Sequence, residues 1–163
     1  MAKKNDTKNL FFIAQASKAI PKIERELTRI INQFDLMIKL SSAEVLDGRT
    51  LLREANTGMK RMSQLDKELS QTINLVTSNA KKLSRQERTK ALVDFRGKVK
   101  NLDRKYFPVA IKKARILQTV ATRKLKETRV ANTSPDPLVM AFRVIQALVT
   151  VYKYFSIQSK KLK

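Results

Sequence analysis

The sequence contains neither cysteine nor histidine. Their absence removes disulfide bonds, thiolate and imidazole metal ligands, thiol nucleophiles and every catalytic triad that uses histidine. Carboxylate, lysine, serine and tyrosine chemistry remains, but no glycine-rich phosphate loop, dinucleotide fingerprint or serine nucleophile elbow accompanies it. We therefore expect no enzymatic activity, no metal site and no cofactor.

Glycine and proline are also scarce, at three and four residues in a chain of 163. Long stretches lack the alternation of β-branched and aromatic residues that strands show, and the chain has little glycine for the tight turns of a sheet. The sequence predicts an all-α fold: a single helical domain over residues 1–163, built as a bundle of about five helices. One helix is expected to be long, and the C-terminal one apolar.

The first forty residues are expected to divide at a proline. Residues 1–20 are predicted to form an N-terminal arm or a short helix that Asp6 caps, and Pro21 to begin the next helix. From there apolar residues recur at spacings of three and four up to about Leu40, which indicates a helix buried along one side. The lysines and apolar cluster of the first 13 residues form too short a pattern for a signal peptide.

Two capping-box patterns bound a long helix in the middle of the chain. They are formed by Ser41 with Glu44 and by Ser84 with Glu87. Between them an apolar stripe continues for about thirty residues, a length of roughly 45 Å. Residues 81–131 are then predicted to form a pair of basic helices, the first of which Pro108 closes or kinks.

Residues 132–137 form the clearest linker, in which Asp136 is expected to cap the last helix and Pro137 to open it. That helix, residues 138–158, is apolar around nearly all of its circumference, and its length permits a membrane span. Arg143 and Lys153 lack an acidic partner within it, which makes a span costly and favours the core or a contact between subunits. The residues predicted for a subunit contact are Leu138, Phe142, Ile145, Val149, Tyr152 and Phe155.

Positive charge is the strongest signal in the sequence. The 35 lysines and arginines outnumber the 14 acidic residues, which gives a formal net charge of +21. Residues 81–129 hold 17 basic and 4 acidic side chains, a net +13, whereas residues 1–80 and 130–163 carry +4 each. A localised basic surface is the footprint of phosphate binding. The acidic residues four positions away that would compensate a solvated helix face are mostly missing.

On the helix after Pro108, five basic residues fall within an arc of about 120° when each residue advances the helix by about 100°. Small and apolar residues such as Ala114 and Leu117 fall on the opposite arc and would pack behind them. The five residues predicted to bind phosphates are Lys112, Arg115, Arg123, Lys126 and Arg129. A second basic surface on the preceding helix adds Arg85, Arg88, Arg96, Lys100, Arg104 and Lys105.

Sequence-specific base reading has less support, because no recognisable turn places asparagine, glutamine or arginine at base-edge positions. Single-strand binding favours aromatic residues among basic ones, and Tyr106-Phe107 beside Arg104-Lys105 is the one candidate pair. The alternative for these two rings is packing in the core. The pattern therefore favours contact with the phosphate backbone.

In its size, the basic surface of residues 81–129, its proline-punctuated helices and its apolar C-terminal helix, the chain resembles the small, basic, helical coat proteins of filamentous archaeal viruses. The resemblance implies subunits that wrap duplex DNA in a helical nucleoprotein, with the DNA in a dehydrated, A-like form between paired subunits. It also implies homo- or hetero-oligomers of many copies in a virion or nucleoprotein particle.

Charge and resemblance together predict a structural protein that packages nucleic acid through its phosphate backbone without sequence preference, with duplex DNA favoured over RNA. Two alternatives stay open. An RNA-bound structural protein of a cytoplasmic ribonucleoprotein would use the same charges. A membrane-associated scaffold subunit would be anchored by residues 138–158, with its basic helices at an anionic surface.

Overall fold

The computed structural model of the chain describes residues 4–130 and 134–162, with the backbone alone at residues 4, 5, 129 and 130. Its elements are α1 (Lys4–Ser42), α2 (Gly48–Ala80), α3 (Arg85–Asn101), a π segment (Leu102–Tyr106), α4 (Phe107–Val130) and α5 (Asp136–Lys161). No strand occurs in these residues, which confirms the predicted all-α fold with a long helix and an apolar C-terminal helix. α3, the π segment and α4 follow one another without a break and form one continuous helical rod. The bundle therefore has four rods, α1, α2, α3–α4 and α5, slightly fewer than the about five helices expected.

The four rods pack in a square. α1 contacts α2 on one side and α4 on the other, and α5 lies between α2 and α4. α1 and α2 run antiparallel, with Gln33 hydrogen-bonded to Glu54 and Lys22 paired with Glu68. The rod of α3 and α4 runs parallel to α1, because Lys98 bonds to Ser17 near one end and Lys124 to Ala43 near the other. One long side of every rod is left at the surface.

An apolar core runs along the centre of the square and receives side chains from every rod. Four phenylalanines, Phe34 in α1, Phe95 in α3, Phe107 in α4 and Phe155 in α5, are fully buried. Burying one such side chain contributes roughly 1.5–3 kcal/mol. The core therefore determines which side of each rod meets the solvent.

Gly58 allows α2 and α5 to approach closely. A Cβ at this position would lie 3.2 Å from Cγ1 of Val144, closer than ordinary van der Waals contact. Glycine costs about 1 kcal/mol relative to alanine inside a helix. At Gly58 this loss of helix stability goes together with the close packing of α2 against α5.

α1 passes through Pro21 without a break, so the prediction of a helix that begins there is wrong. The apolar side of α1 continues across the proline, with Ile20 and Ile23 both buried. Proline has no N–H for the carbonyl of Ser17, four residues earlier. The Lys98 ammonium from α3 donates to that carbonyl at 3.2 Å instead, which provides the partner the helix lacks.

The start of α2 also differs from the prediction. Ser41 is buried inside α1, and Asp47 rather than the Ser41–Glu44 pair caps α2. Asp47 Oδ1 accepts from the Thr50 N–H at 3.2 Å, and Oδ2 accepts from the Thr50 hydroxyl at 2.6 Å. These two bonds lower the pKa of Asp47. The second predicted cap is confirmed, since Ser84 Oγ accepts from the Glu87 N–H at 3.3 Å.

The π segment keeps the apolar side of the long rod facing the bundle. Buried residues in α3 and α4 recur at spacings of three and four, except for one step of five from Leu102 to Phe107. A regular α-helix would rotate the second half of the stripe away from the core at that step. The Phe107 N–H bonds to the Leu102 carbonyl five residues back, which absorbs the extra residue. Pro108 follows at once, and the rod continues through it rather than ending.

α5 begins one residue earlier than expected. Its first residue is Asp136, and Pro135 occupies the N-cap position without a side-chain cap. The Asp136 N–H donates to the Ser134 hydroxyl at 3.4 Å. Of the predicted linker, residues 132 and 133 lie outside the described residues, and residues 134 and 135 are not helical.

The compensation at Pro21 is testable by a double-mutant cycle. Pro21→Ala restores an N–H for the Ser17 carbonyl and should raise the free energy of unfolding, by less than the roughly 3 kcal/mol that separates the two residues in a helix. Lys98→Met should lower it by about 1–3 kcal/mol in the native background, because a buried carbonyl loses its donor. In the Pro21→Ala background the cost of Lys98→Met should fall.

Chemical denaturation of the four proteins measures the cycle, with Lys90→Met, at an exposed lysine of α3, as the control for removing one charge. We expect that control to stay within about 0.5 kcal/mol of the native protein. Strict additivity of Pro21→Ala and Lys98→Met would contradict the assignment.

Candidate nucleic-acid interface

The inner side of α4 consists of small and apolar residues. Ala110, Ala114, Leu117 and Ala121 are buried, each with 2% exposure or less, and Leu125 packs at their edge. Alanine allows the axis of α4 to approach its neighbours α1 and α5 closely. This packing holds α4 with its small and apolar side towards α1 and α5.

The outer side of α4 carries the predicted phosphate ligands. The side chains of four of these five residues are described. All four are exposed, and none has an ion-pair or hydrogen-bond partner within the described residues. They are Lys112, Arg115, Arg123 and Lys126, which we call the α4 stripe. At 1.5 Å per residue the stripe is roughly 21 Å long. Arg129 lies in the last turn of α4, and its side chain is outside the described part.

The other two described cations of α4 are used within the bundle. Lys113 forms an ion pair with Asp35 of α1 at 2.8 Å. Lys124, with its side chain only 10% exposed, donates to the Ala43 carbonyl at 2.7 Å and pairs with Glu127 at 2.9 Å. Both residues fall outside the 120° arc found in the sequence, so their helical phase already separated them from the stripe.

The second basic surface divides into two groups. Among its predicted residues, Arg85, Lys100, Arg104 and Lys105 are exposed and have no partner in the described ranges 4–130 and 134–162. The exposed Lys90 lies on the same rod. These side chains continue the exposed positive charge of the same rod along α3 and the π segment.

Arg88 and Arg96, two of the predicted phosphate ligands, also bind carbonyls of the chain itself, which the sequence did not predict. Arg88 Nε donates to the Ala80 carbonyl at 3.0 Å and Nη2 to the Leu83 carbonyl at 3.3 Å, at the end of α2. Arg96 Nε donates to the Leu162 carbonyl after α5. The last carbonyls of a helix have no partner inside it, and a cation also suits the negative end of the helix dipole.

A groove of about 310 Å³ lies beside the α4 stripe, between α4 and α5. Pro108 and Ile111 form part of its apolar lining, Lys112 and Arg115 line it from α4, and Tyr152 lines it from α5. Cations beside an apolar lining can hold a phosphate while the sugar packs against carbon atoms. The groove thus continues the surface of the stripe towards α5.

The aromatic pair considered for single-strand binding is used within the fold. Phe107 is buried and stacks on Phe155, with the ring centroids 4.6 Å apart. The Tyr106 hydroxyl donates to Glu24 Oε2 at 3.2 Å. Burial and then the Glu24 carboxylate raise the pKa of Tyr106. Neither ring is displayed as a stacking platform for bases.

The residues predicted for a subunit contact lie on two different sides of α5. Leu138, Ile145 and Phe155 are buried in the chain's own core and cannot contact a second copy in this fold. Phe142, Val149 and Tyr152 are partly exposed. The reason is that α5 occupies a corner of the square, so both its α2 side and its α4 side are apolar.

α5 is also the one described helix that is long and apolar enough to cross a membrane. Buried residues make up 39% of its most apolar window. A helix in the core of a bundle has the same length and composition. The packing of α5 against α2 and α4 accounts for the apolar residues on those two sides.

The arrangement supplies a row of positive charges on a rigid rod, suited to a ligand with regularly spaced negative charges. No family model, no curated protein and no solved structure matches the chain. Its function is therefore inferred from the geometry of this surface.

The division of the α4 lysines predicts different chemical reactivities. Under limiting acetylation, Lys112 and Lys126 should react as exposed lysines do, whereas Lys124 should react at least about tenfold more slowly. The hydrogen bonds of the Lys124 ammonium must break before the amine can react. Hydrogen bonds to a charged group stabilise by roughly 1.5–3 kcal/mol. Mass spectrometry of tryptic peptides measures the rates, with Lys39 as an exposed control on α1. Equal rates for Lys124 and Lys126 would contradict this orientation of α4.

Proposed function

We propose that this chain is a structural protein that binds the phosphate backbone of duplex nucleic acid through the α4 stripe and the exposed cations of α3 and the π segment. The observation that carries the proposal is the α4 stripe, a row of exposed cations on one side of a continuous rod, with no partner among the described residues. Cations placed for solubility alone would be distributed over all four rods. Exposed cations occur on every rod, but residues 81–129 alone carry a net +13 of the total +21. Eight of the predicted ligands in this stretch are exposed and have no partner in the described residues: Arg85, Lys100, Arg104, Lys105, Lys112, Arg115, Arg123 and Lys126.

Duplex DNA is the proposed polymer, bound without sequence preference. A duplex has one charge per about 1.7 Å of its axis, so the roughly 21 Å of the α4 stripe spans about six base pairs. The burial of Phe107 and the engagement of Tyr106 by Glu24 support a duplex over a single strand, because base stacking needs free rings. Phosphate contacts alone position a protein on a duplex but carry no sequence information.

The amount of positive charge on the chain favours a packaging function over a regulatory one. If every net charge were used, one chain could neutralise at most about 21 phosphates, or roughly ten base pairs. Only one rod can face a given duplex, so one copy covers a fraction of that length. We propose that many copies bind side by side along the polymer in a nucleoprotein particle, as subunits of a coat or an architectural protein.

The salt dependence of binding tests the α4 stripe. Replacing Lys112, Arg115, Arg123 and Lys126 with glutamine should reduce the slope of log K against log salt concentration by about 3.6, if each of the four neutralises one phosphate. Fluorescence anisotropy with a labelled duplex measures the slope. Two duplexes of unrelated sequence should bind the native protein within about threefold of each other.

The matched control removes four exposed positive charges from α1 and α2, by substituting glutamine at Lys18, Arg25, Lys60 and Lys67. Its slope should change by less than about one, because those side chains lie on other rods. An equal loss in both variants would mean that total charge, not the α4 stripe, binds the polymer. Circular dichroism establishes that both variants keep the helical fold.

The same assay separates the alternative functions. Competition with an RNA duplex of equal length distinguishes a DNA-packaging protein from a structural protein of a ribonucleoprotein. Flotation with anionic vesicles tests the membrane-associated scaffold, which would bind them through basic residues and α5. Tighter binding to RNA or to vesicles than to duplex DNA would overturn the proposed polymer.

A further inference from the structure

A cleft of about 400 Å³ lies between α3, the π segment and the C-terminal turn of α5. It brings together residues more than fifty positions apart in the chain. The side chains that matter here are four cations and two serines: Arg96, Lys100, Arg104, Lys160, Ser156 and Ser159. Buried Val99 and Leu162 also line the cleft, so its polar groups surround an apolar part.

Three of the four cations are available to a ligand. Lys100, Arg104 and Lys160 are exposed and have no ion pair or hydrogen bond in the described part of the chain. Arg96 donates from Nε to the Leu162 carbonyl, which fixes its guanidinium and leaves the Nη groups as donors. Asp103 is the one acidic side chain in the lining, so the lining carries a net charge of +3.

The two serines add hydroxyl groups on the α5 side. Ser159 donates its hydroxyl to the Ser156 carbonyl at 3.0 Å, which leaves the Ser159 oxygen as an acceptor. The half-buried Ser156 hydroxyl has no partner in the residues described and can donate to an anion. The cleft therefore offers one neutral donor, the Ser156 hydroxyl, beside charged donors from α3, the π segment and α5, whereas the Ser159 hydrogen is already used.

We propose that this cleft is a binding site for a phosphate monoester, separate from the α4 stripe. A monoester presents three strong acceptor oxygens and a charge of about −1.5 to −2 near pH 7. A backbone diester has two free oxygens, one negative charge and a chain continuing on both sides. Convergent donors in a concave site fit the monoester, whereas cations in a row on a convex helix fit a series of diesters. Lys100 and Arg104 also belong to the proposed backbone surface, but the convergence of donors in the cleft does not depend on backbone binding.

Two small phosphate esters, added to the full chain, measure whether the cleft distinguishes a monoester from a diester. In an NMR titration near neutral pH, methyl phosphate should shift the amide signals of Ser156, Ser159 and Lys160 along a saturating curve. Dimethyl phosphate at equal concentration should bind at least about tenfold more weakly, because it has one fewer unesterified oxygen and less negative charge. Equal affinity for the two esters, or shifts without saturation, would overturn the site.

A pair of matched variants locates the binding. Lys100→Gln with Lys160→Gln should weaken methyl phosphate binding by at least about tenfold, since two charge-assisted contacts are lost. Lys60→Gln with Lys67→Gln removes the same charge from α2, outside both proposed sites, and should leave this affinity unchanged within about twofold. Ser156→Ala is a milder variant that keeps every charge and should weaken binding by about threefold or more. If the first pair behaves like the second, the site lies elsewhere or does not exist.

The source of the phosphate is determined with short duplexes that carry either a phosphate or a hydroxyl at their 5′ ends. Tighter binding of the phosphorylated duplex, lost in the Lys100/Lys160 variant, supports the site and assigns its ligand to a strand end. Methyl phosphate binding without that preference supports the site with a small phosphorylated molecule as its ligand. A normal salt slope with no methyl phosphate binding would overturn this inference while leaving the proposed function intact.

Discussion

The rotational position of one long rod determines where the free charge of this protein lies. The rod from α3 to α4 buries Phe95 in its first half and Phe107 with Leu117 in its second half. These side chains hold its inner side against α1 and α5, and the opposite side is left to the solvent. The π segment preserves this phase where the apolar spacing lengthens from three or four residues to five, and thereby keeps the exposed cations of both halves facing outward.

The same rod shows two uses of a positive side chain. Lys98, Lys124 and Arg88 donate to backbone carbonyls next to a proline or at and just beyond helix ends. Ser17 is buried, and without Lys98 its carbonyl would be left unpaired by Pro21 at a cost of about 1–3 kcal/mol. The α4 stripe has no such role in the described fold. Removing its charges should therefore affect binding far more than folding.

A net charge of +21 in one small bundle opposes its compact state. The ion pairs between rods, such as Lys22 with Glu68 and Lys113 with Asp35, are partly exposed at the lysine and contribute at most about 1 kcal/mol each. The apolar core must therefore supply most of the stability. A polyanion that binds only the folded chain would add to that stability by mass action and would relieve the repulsion along the rod.

Local patterns in the sequence were sufficient for the helical class, the cap at Ser84 and the arc of the α4 stripe. Each of these depends on residues within a few turns of one helix, where a rotation of about 100° per residue relates position to direction. The patterns also overestimated the number of breaks, because Pro21 and Pro108 look like helix boundaries when no neighbouring rod is considered.

Tertiary structure alone decided which side chains are free. Arg88 and Arg96 resemble their exposed neighbours in sequence, yet each binds a carbonyl at a helix end that packing brings to it. Leu138, Ile145 and Phe155 could have met another subunit, but α2 and α4 cover them within the chain. The cleft that unites Lys100 with Lys160 has no signal in the sequence at all. The physical reason is that burial, carbonyl partners and clefts arise between residues tens of positions apart, whereas periodicity and capping are properties of a single helix.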